Sequence, residues 1–258
     1  MNFTGAIGKL RKDGPRAIIL RRLKWYRDRV KGTLVALKGN RVHFDDMVYS
    51  VEPFSSTLKC AIAAGNFEEP ERALVKRWLP SDLPVVEFGG GMGVVSCLAN
   101  RKLSDAKRHV VVEANPAMIP LLSFNRDLNG CQFAVVNRAL AYDTDTIRID
   151  IDPDFVGSSV FEVPGKNGEA TVATTTLADI MEEYGFEQCG VVCDIEGLEV
   201  DLVERELPMR GGRVLYFLAE THPFITGREC TDQLLSTLST LGFSEKERIG
   251  ICVFYSRD

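Results

Sequence analysis

The sequence predicts an α/β protein: a doubly wound, mostly parallel sheet ending in a C-terminal antiparallel hairpin, preceded by a basic helix and a small hairpin. Three observations carry this. Short apolar strands alternate with amphipathic helices from residue 83 onward, and fully apolar strands of that kind suit a parallel sheet covered on both faces. Glycines cluster at 89, 90, 91 and 93, where the first of those strands runs into its helix. The last two strand-like runs, 243–249 and 251–255, meet across Gly250, which reads as a hairpin with one antiparallel strand at the sheet's end. The 258 residues are 45% hydrophobic and 26% charged, which excludes collagen-like and low-complexity architectures and allows one large domain with a real core. No apolar run approaches the roughly 20 residues that cross a bilayer. Arg21-Arg22 interrupt the short apolar run after the basic N-terminus, so no secretory signal is read. Seven cysteines without a Cys-x-x-Cys pair disfavour a zinc site and suit reduced thiols. The expected location is cytoplasmic, with a peripheral place at a membrane left open by the charge pattern.

That pattern divides the chain into an extension, residues 1–63, and a body, 64–258. Residues 1–41 hold twelve Lys and Arg against Asp13 and Asp28, a net +10, while the rest carries −15 of the total −5. Within this arm Ile19, Leu23, Tyr26 and Val30 recur at steps of four, three and four, the spacing of one helix face. One reading is a surface for anionic lipid headgroups, a lipid-linked substrate or another acidic partner. The preferred reading is a helix docked by that stripe on its own domain or on a twin subunit in a homodimer, with solvated arginines around it. Residues 33–37 and 41–44 flank Gly39-Asn40, a two-residue turn signal that predicts a hairpin.

The body begins with a helix over 68–79, stopped by Pro80. Strands are predicted at 85–88, 110–113, 133–137, 191–195 and 214–220, and helices at 94–103, 117–128, 177–184, 198–207 and 230–241. Asn115 and Pro116 read as the cap and first position of the 117–128 helix, which Pro120 would tilt. Residues 142–175 interrupt the alternation with β-like stretches at 147–151 and 171–174 and a Gly/Ser/Pro-rich loop, an insertion suited to a substrate-binding wall.

Three constellations carry chemistry. The first is Glu87-x-Gly89-x-Gly91-x-Gly93 at the first strand–helix junction, where glycines admit a ligand close to the backbone and a helix N-terminus adds unpaired N–H groups. A dinucleotide fingerprint counted from Gly89 would need glycine at Val94, and a phosphate loop would need Gly-Lys-Ser/Thr, which is absent. An acid leading alternate glycines resembles the first motif of class I S-adenosylmethionine-dependent methyltransferases. Its cofactor has an ammonium group and no pyrophosphate, which makes sense of Glu87. The second is Glu113, twenty residues beyond Gly93 at the tip of the next strand, placed to accept both hydrogen bonds from a ribose diol. The third is Asp194-Ile195-Glu196-Gly197 at the end of the fourth core strand. Two carboxylates there can take a proton from an attacking hydroxyl or hold a divalent cation such as Mg²⁺ that acidifies it. His222, at the end of the 214–220 strand, is either an alternative base or a structural group. Glu199, Asp201, Glu204 and Glu206 read as the solvated face of the following helix.

The order glycine loop, Val112-Glu113-Ala114-Asn115-Pro116, Asn137-Arg138-Ala139-Leu140-Ala141-Tyr142-Asp143, Thr175-Thr176-Leu177-Ala178-Asp179, Cys193-Asp194-Ile195-Glu196-Gly197-Leu198-Glu199 and Leu218-Ala219-Glu220-Thr221-His222 resembles the FkbM family of methyltransferases. Gly65-Asn66-Phe67-Glu68 is similar to that family's entry segment, so the resemblance covers about residues 64–222. It implies an O-methyltransferase acting on a sugar, glycan, lipid-linked or secondary-metabolite hydroxyl. It also implies that Glu87, Gly89, Gly91, Gly93 and Glu113 bind S-adenosylmethionine, with Asn137 near the adenine; Asn115 is counted with them among the cofactor-binding residues. Two departures stand out: Glu87-Phe88-Gly89-Gly90-Gly91 replaces the family's Asp-Val-Gly-Ala-Asn, and Cys193 stands where Lys is usual. Thr176 and Asp179 also form a helix capping box by spacing alone. The rival readings are a non-catalytic adenosine-binding or scaffold domain and a nicotinamide oxidoreductase. A nucleic-acid substrate is disfavoured, because no Asn-Pro-Pro-Tyr-type motif is present and aromatics scarcely interleave with the arginines.

Overall fold

The computed structural model describes residues 15–151, 168–210 and 212–257; most of the Gly/Ser/Pro-rich stretch, residues 152–167, and the basic residues before Pro15 lie outside them. Helix α1 (Pro15–Leu37) is continuous through the segment expected as a first hairpin strand. Gly39 and Asn40, both at positive φ, end this helix rather than turn a hairpin. The hairpin lies one step later, as β1 (Arg41–Phe44) and β2 (Met47–Ser50), and turns at Asp45-Asp46, both at positive φ as a tight two-residue turn requires. Next come α2 (Ser56–Ala63), capped by the Ser55 hydroxyl, and α3 (Glu69–Trp78), with Pro70 in its first turn.

The central sheet is built from β3 (Val85–Phe88), β4 (His109–Val112) and β5 (Ala134–Val136), with α4 (Val94–Lys102) and α5 (Ile119–Leu128) between them. A small three-stranded sheet follows, formed by β6 (Ala139–Leu140), β7 (Thr146–Ile151) and β8 (Gly168–Thr175). The chain then returns through α6 (Leu177–Glu183), β9 (Cys189–Cys193), α7 (Glu199–Arg205), a 3₁₀ turn (Leu207–Arg210), β10 (Val214–Glu220) and α8 (Arg228–Thr240). It ends in the hairpin of β11 (Ser244–Ile249) and β12 (Cys252–Ser256).

The seven strands lie in the order β11-β12-β10-β9-β3-β4-β5. From β10 to β5 every pairing is parallel; β12 is antiparallel to both β10 and β11. Alternate residues of each strand enter opposite layers, as the period of two demands. Val85, Val111, Val192 and Leu218 pack with α3–α5 on one face; Val86, Val110, Val191 and Phe217 pack with α6–α8 on the other. Both faces are therefore dry, which is why these strands have no polar alternation.

The extension is bound into this architecture from β1 onward. Val42, Tyr49, Val51, Phe54 and Ile62 belong to the same buried cluster as Leu74 and Val94. Asn125 of α5 accepts from the Ser50 N–H (2.7 Å), and Asn129 accepts from the Val48 N–H (2.9 Å), which ties β2 to the body. Helix α5 starts at Ile119, not at residue 117. Asn115 Oδ1 accepts the Ala117 N–H in a turn ahead of the helix, and Pro120 falls in the first turn, where its missing N–H costs nothing. No helix among the described residues is long and apolar enough to cross a membrane.

Candidate functional site

From β3 the chain runs to β4 on one side and, later, to β9 on the other, so a crevice opens at the carboxyl ends of β3 and β9, where open α/β sheets take their ligands. Two glycines shape it. A Cβ on Gly89 would stand 1.8 Å from the Asp194 carbonyl oxygen, so only glycine lets the ends of β3 and β9 close together. At Gly91, with φ +50°, a Cβ would meet only Glu68 Oε1, at 3.9 Å; the backbone is bare toward the crevice. Gly93 stands one position before α4 as its N-cap.

The expected partnership between the glycine loop and the acid twenty residues on is a direct contact. Glu113 Oε2 accepts the Gly91 N–H and Oε1 accepts the Asn115 N–H, both at 2.7 Å. Burial pushes the Glu113 carboxyl upward, and these N–H groups oppose that. Asn137 donates to the Glu113 and Ala114 carbonyl oxygens at 2.8 and 3.1 Å, bracing the turn that presents Glu113. Gly89, Gly91 and Glu113 line the crevice; Gly93, Asn115 and Asn137 stand behind that wall. Glu87 does not line it either. Its carboxylate is buried, taking the Ser96 hydroxyl at 2.5 Å and His109 Nε2 at 3.1 Å, and so ties β3 to α4 and β4.

The cavity has a volume of about 260 Å³, just below the ~300–1,000 Å³ usual for small-molecule clefts. Phe54, Phe67, Met118 and Ile149 give it apolar walls, and Ile149 of β7 brings the expected insertion to the rim. An acidic part of the lining completes the cavity wall: Glu68, Asp194, Glu196 and Glu220, together with His222. Asp194 and Glu196 lie beyond the end of β9, with Glu196 in the left-handed region at φ +56°, yet both reach the crevice as expected.

His222 is the hub of this wall. Its Nε2 lies 3.4 Å from Asp194 and 3.9 Å from both Glu196 and Glu220, while its Nδ1 meets Glu199 Oε1 at 3.1 Å. Glu199 is not on a solvated face. It is 1% exposed and also accepts the Ile195 N–H (2.8 Å) and the Gly197 N–H (3.0 Å), so it fixes the loop that carries Asp194 and Glu196. Glu206 is buried too, accepting the Leu177 and Ala178 N–H groups at the start of α6; of the four acids only Asp201 and Glu204 are exposed. Both buried acids satisfy the orphan N–H groups of a helix start or turn, which a solvated face would leave to water.

The electrostatics follow from crowding. Burial works against the His222 imidazolium, but the hydrogen bond and charge of Glu199, with Asp194 and Glu196, outweigh it and lift the ring to about 9. Burial drives the Asp194 carboxyl above its ordinary range despite His222, and the neighbouring carboxylates push the same way. Burial raises Glu220 as well, aided by its contact with Glu71. Glu71, which no sequence pattern had marked, is 3% exposed and keeps one carboxylate oxygen without a hydrogen-bond partner among the described residues. Among the described residues two groups have the geometry to ligate a cation: Asp194, Glu220 and His222, and Glu71, Glu220 and Cys252, the ligand atoms of each set lying within 4.8 Å of one another.

Fold and site together define an open doubly wound α/β protein with an acidic crevice at its topological switch point. No protein-family model and no curated protein matches the chain. Among solved structures the chain is similar to a ribosomal protein L11 methylase from Lactobacillus delbrueckii subsp. bulgaricus, at 12% identity and a TM-score of 0.42 over 73% of this chain and 77% of that one. It is similar to Aeropyrum pernix fibrillarin with natively bound S-adenosyl-L-methionine, at 12% identity and 0.44 over 73% and 74%. It is also similar to an O-methyltransferase from Bacillus cereus in complex with SAH, at 11% identity and 0.44 over 75% and 80%.

Proposed function

We propose that the protein is an S-adenosylmethionine-dependent methyltransferase acting on a hydroxyl oxygen. The observation that carries the reading is Glu113, bonded through Gly91 to the glycine loop and lining the same crevice as the acidic wall of Asp194, Glu196 and Glu220. The bare backbone at Gly91 and the carboxylate of Glu113 suit an adenosine with a ribose diol. The acidic wall discriminates between adenosine cofactors. A sulfonium and an ammonium are favoured beside crowded carboxylates, whereas the pyrophosphate of a nicotinamide dinucleotide would be repelled. Val94 in place of a third glycine argues the same way.

When bound, the cofactor supplies a methyl carbon activated by its sulfonium. Glu113 would hold its ribose and the 89–91 backbone would lie beneath it, while Glu87 acts from behind the loop through Ser96 and His109. One of the two carboxylates, Glu196 or an Asp194 that has first given up its own proton, accepts the acceptor's proton, the step that turns a hydroxyl into a competent nucleophile. His222 holds its proton at neutral pH, so its part is to keep Asp194 and Glu196 in place and to offset their charge; as a base it would first have to lose the proton that Glu199 retains on it. The resemblance to the FkbM family in 193–199 and 218–222 supports a sugar, glycan or secondary-metabolite hydroxyl as acceptor. A divalent cation on Asp194, Glu220 and His222 is the second way to acidify that hydroxyl. A non-catalytic adenosine-binding domain is the remaining alternative.

Methyl-labelled S-adenosylmethionine and a panel of sugar and polyketide alcohols, with and without chelator, test the reading. Label in an ether oxygen–methyl product supports it. Loss of transfer with chelator and recovery on Mg²⁺ assigns the carboxylates to a metal. Cofactor binding with no transfer to any alcohol favours the adenosine-binding alternative.

A further inference from the structure

Helix α1 presents its two faces to different surroundings. Its reverse face is docked: a Cβ on Gly32 would stand 1.6 Å from the Ser56 carbonyl oxygen of α2, and Val35 packs on the buried core. The other face is bare. Leu23 is 60% exposed, Tyr26 61%, Val30 61%, Leu34 50% and Leu37 78%. At 3.6 residues per turn these five fall in one stripe about 80° wide, opposite Gly32 and Val35. The reading preferred from sequence docked the stripe on the chain's own domain or on a twin subunit; among the described residues of the chain nothing covers Leu23, Tyr26 and Val30, and the side chain of Ile19 lies outside the described residues. Exposed Arg27 and Lys31 border one side of the stripe and exposed Arg29 the other. Arg27 pairs with its neighbour Asp28 at 3.2 Å, and Arg29 stacks over Trp25 at 4.6 Å.

We infer that α1 is a seat for an anionic lipid surface, with the Leu23–Tyr26–Val30–Leu34–Leu37 stripe in the headgroup boundary and the flanking cations on the phosphates. Charge decides between the two occupants an apolar stripe can take. A second copy laid face to face would set Arg27, Arg29 and Lys31 against like charges, with Asp28 the one acid in the helix, whereas an anionic surface neutralises all three. Trp25 and Tyr26 are the aromatic types that settle at such a boundary. The docking point lies beside the crevice: Gly32 rests on Ser56, and Phe54, two residues earlier, lines the cavity wall. A membrane seat on α1 thus holds the crevice near the lipid surface. That an acceptor carried there would be within reach rests on the transferase reading; lipid binding does not.

The test is co-sedimentation of the full chain with vesicles of phosphatidylcholine alone and of phosphatidylcholine mixed with phosphatidylserine, at low and high salt. Binding to the mixed vesicles, lost at high salt and absent from phosphatidylcholine alone, is expected. Each exposed cation contributes roughly fivefold in partitioning, so the triple change Arg27→Gln, Arg29→Gln, Lys31→Gln should weaken it by roughly a hundredfold. The double change Leu23→Ser, Val30→Ser should also weaken it, with the melting temperature and adenosine-ligand affinity of both variants unmoved. No binding to the mixed vesicles at low salt overturns the proposal. So does a dimer in sedimentation velocity that Leu23→Ser, Val30→Ser dissolves, which would give the stripe to a second copy.

Discussion

Glu199→Gln tests how the acidic wall is held. The Glu199 carboxylate accepts three hydrogen bonds: Ile195 N–H and His222 Nδ1 on one oxygen, Gly197 N–H on the other. A glutamine has one acceptor oxygen. Placed where it keeps the first two, its NH₂ is turned on the Gly197 N–H, and a buried donor is left unsatisfied. The loss is one charge-assisted bond, about 1.5–3 kcal/mol, plus an unpaired N–H, offset by the lighter desolvation of a neutral side chain. A net loss of about 2–4 kcal/mol follows, and a melting temperature lower by roughly 5–15 °C. The same change removes the main support of the imidazolium, so His222 should titrate well below its wild-type value of about 9. The sign is definite. A histidine raised in the fold adds stability that is fully present below its unfolded value, near 6.5, and lost as pH rises through about 9; in the variant that loss begins at lower pH. With three histidines in the chain, imidazole NMR resolves His222 directly. A variant that melts with the wild type and still titrates near 9 would refute the role given to Glu199.

Three further outcomes are expected. Gly91→Val should abolish adenosine-ligand binding, because its side chain would stand in the crevice at φ +50°; the strain costs about 1–2 kcal/mol, read as a modest fall in melting temperature. Asp194→Asn or Glu196→Gln should slow turnover by roughly 10²–10⁴-fold for whichever carboxylate is the base, and should weaken S-adenosylmethionine more than its uncharged-sulfur product; Asp194→Asn should not lower the melting temperature, since burial already disfavours that charge. Because the Asp194 carboxyl sits above its ordinary range, a cationic ligand should bind more tightly as pH rises through its titration and release protons on binding. Calorimetry in buffers of differing ionisation heat would then show S-adenosylmethionine more pH-dependent than its uncharged-sulfur product.

The parts of the site that could be read from sequence are those whose geometry is local. Gly89, Gly91 and Glu113 were legible because a strand–turn–helix junction and a strand tip each leave a short pattern, and the parallel order of β3 and β4 brings the two together. Asp194, Glu196 and His222 were legible because strand ends of this fold converge on one edge. Glu199 and Glu206 were misread because acids between buried leucines look the same whether they face water or backbone N–H groups. The one available signal was the place of Glu199, in the first turn after Gly197, where orphan N–H groups seek a carboxylate. Glu71 left no mark because its burial comes from how α3 packs on the sheet. The hairpin was displaced because Gly39-Asn40 suits a helix end as well as a strand turn, and Asp45-Asp46 is the less usual choice for positive φ. For Glu87 the residue type was read correctly and its direction was not. Only the tertiary position of Ser96 and His109 shows that its carboxylate is already taken.

The central claim is that the crevice lined by Glu113 and the acidic wall takes S-adenosylmethionine. Titration calorimetry of the full chain with S-adenosylmethionine, S-adenosylhomocysteine and NAD⁺, repeated on Gly91→Val and Glu113→Ala, tests it most directly. Saturable binding of the two adenosyl ligands, with none for NAD⁺ and none in either variant, is the predicted result. Preference for NAD⁺, no adenosine ligand bound, or binding that survives both substitutions would contradict it.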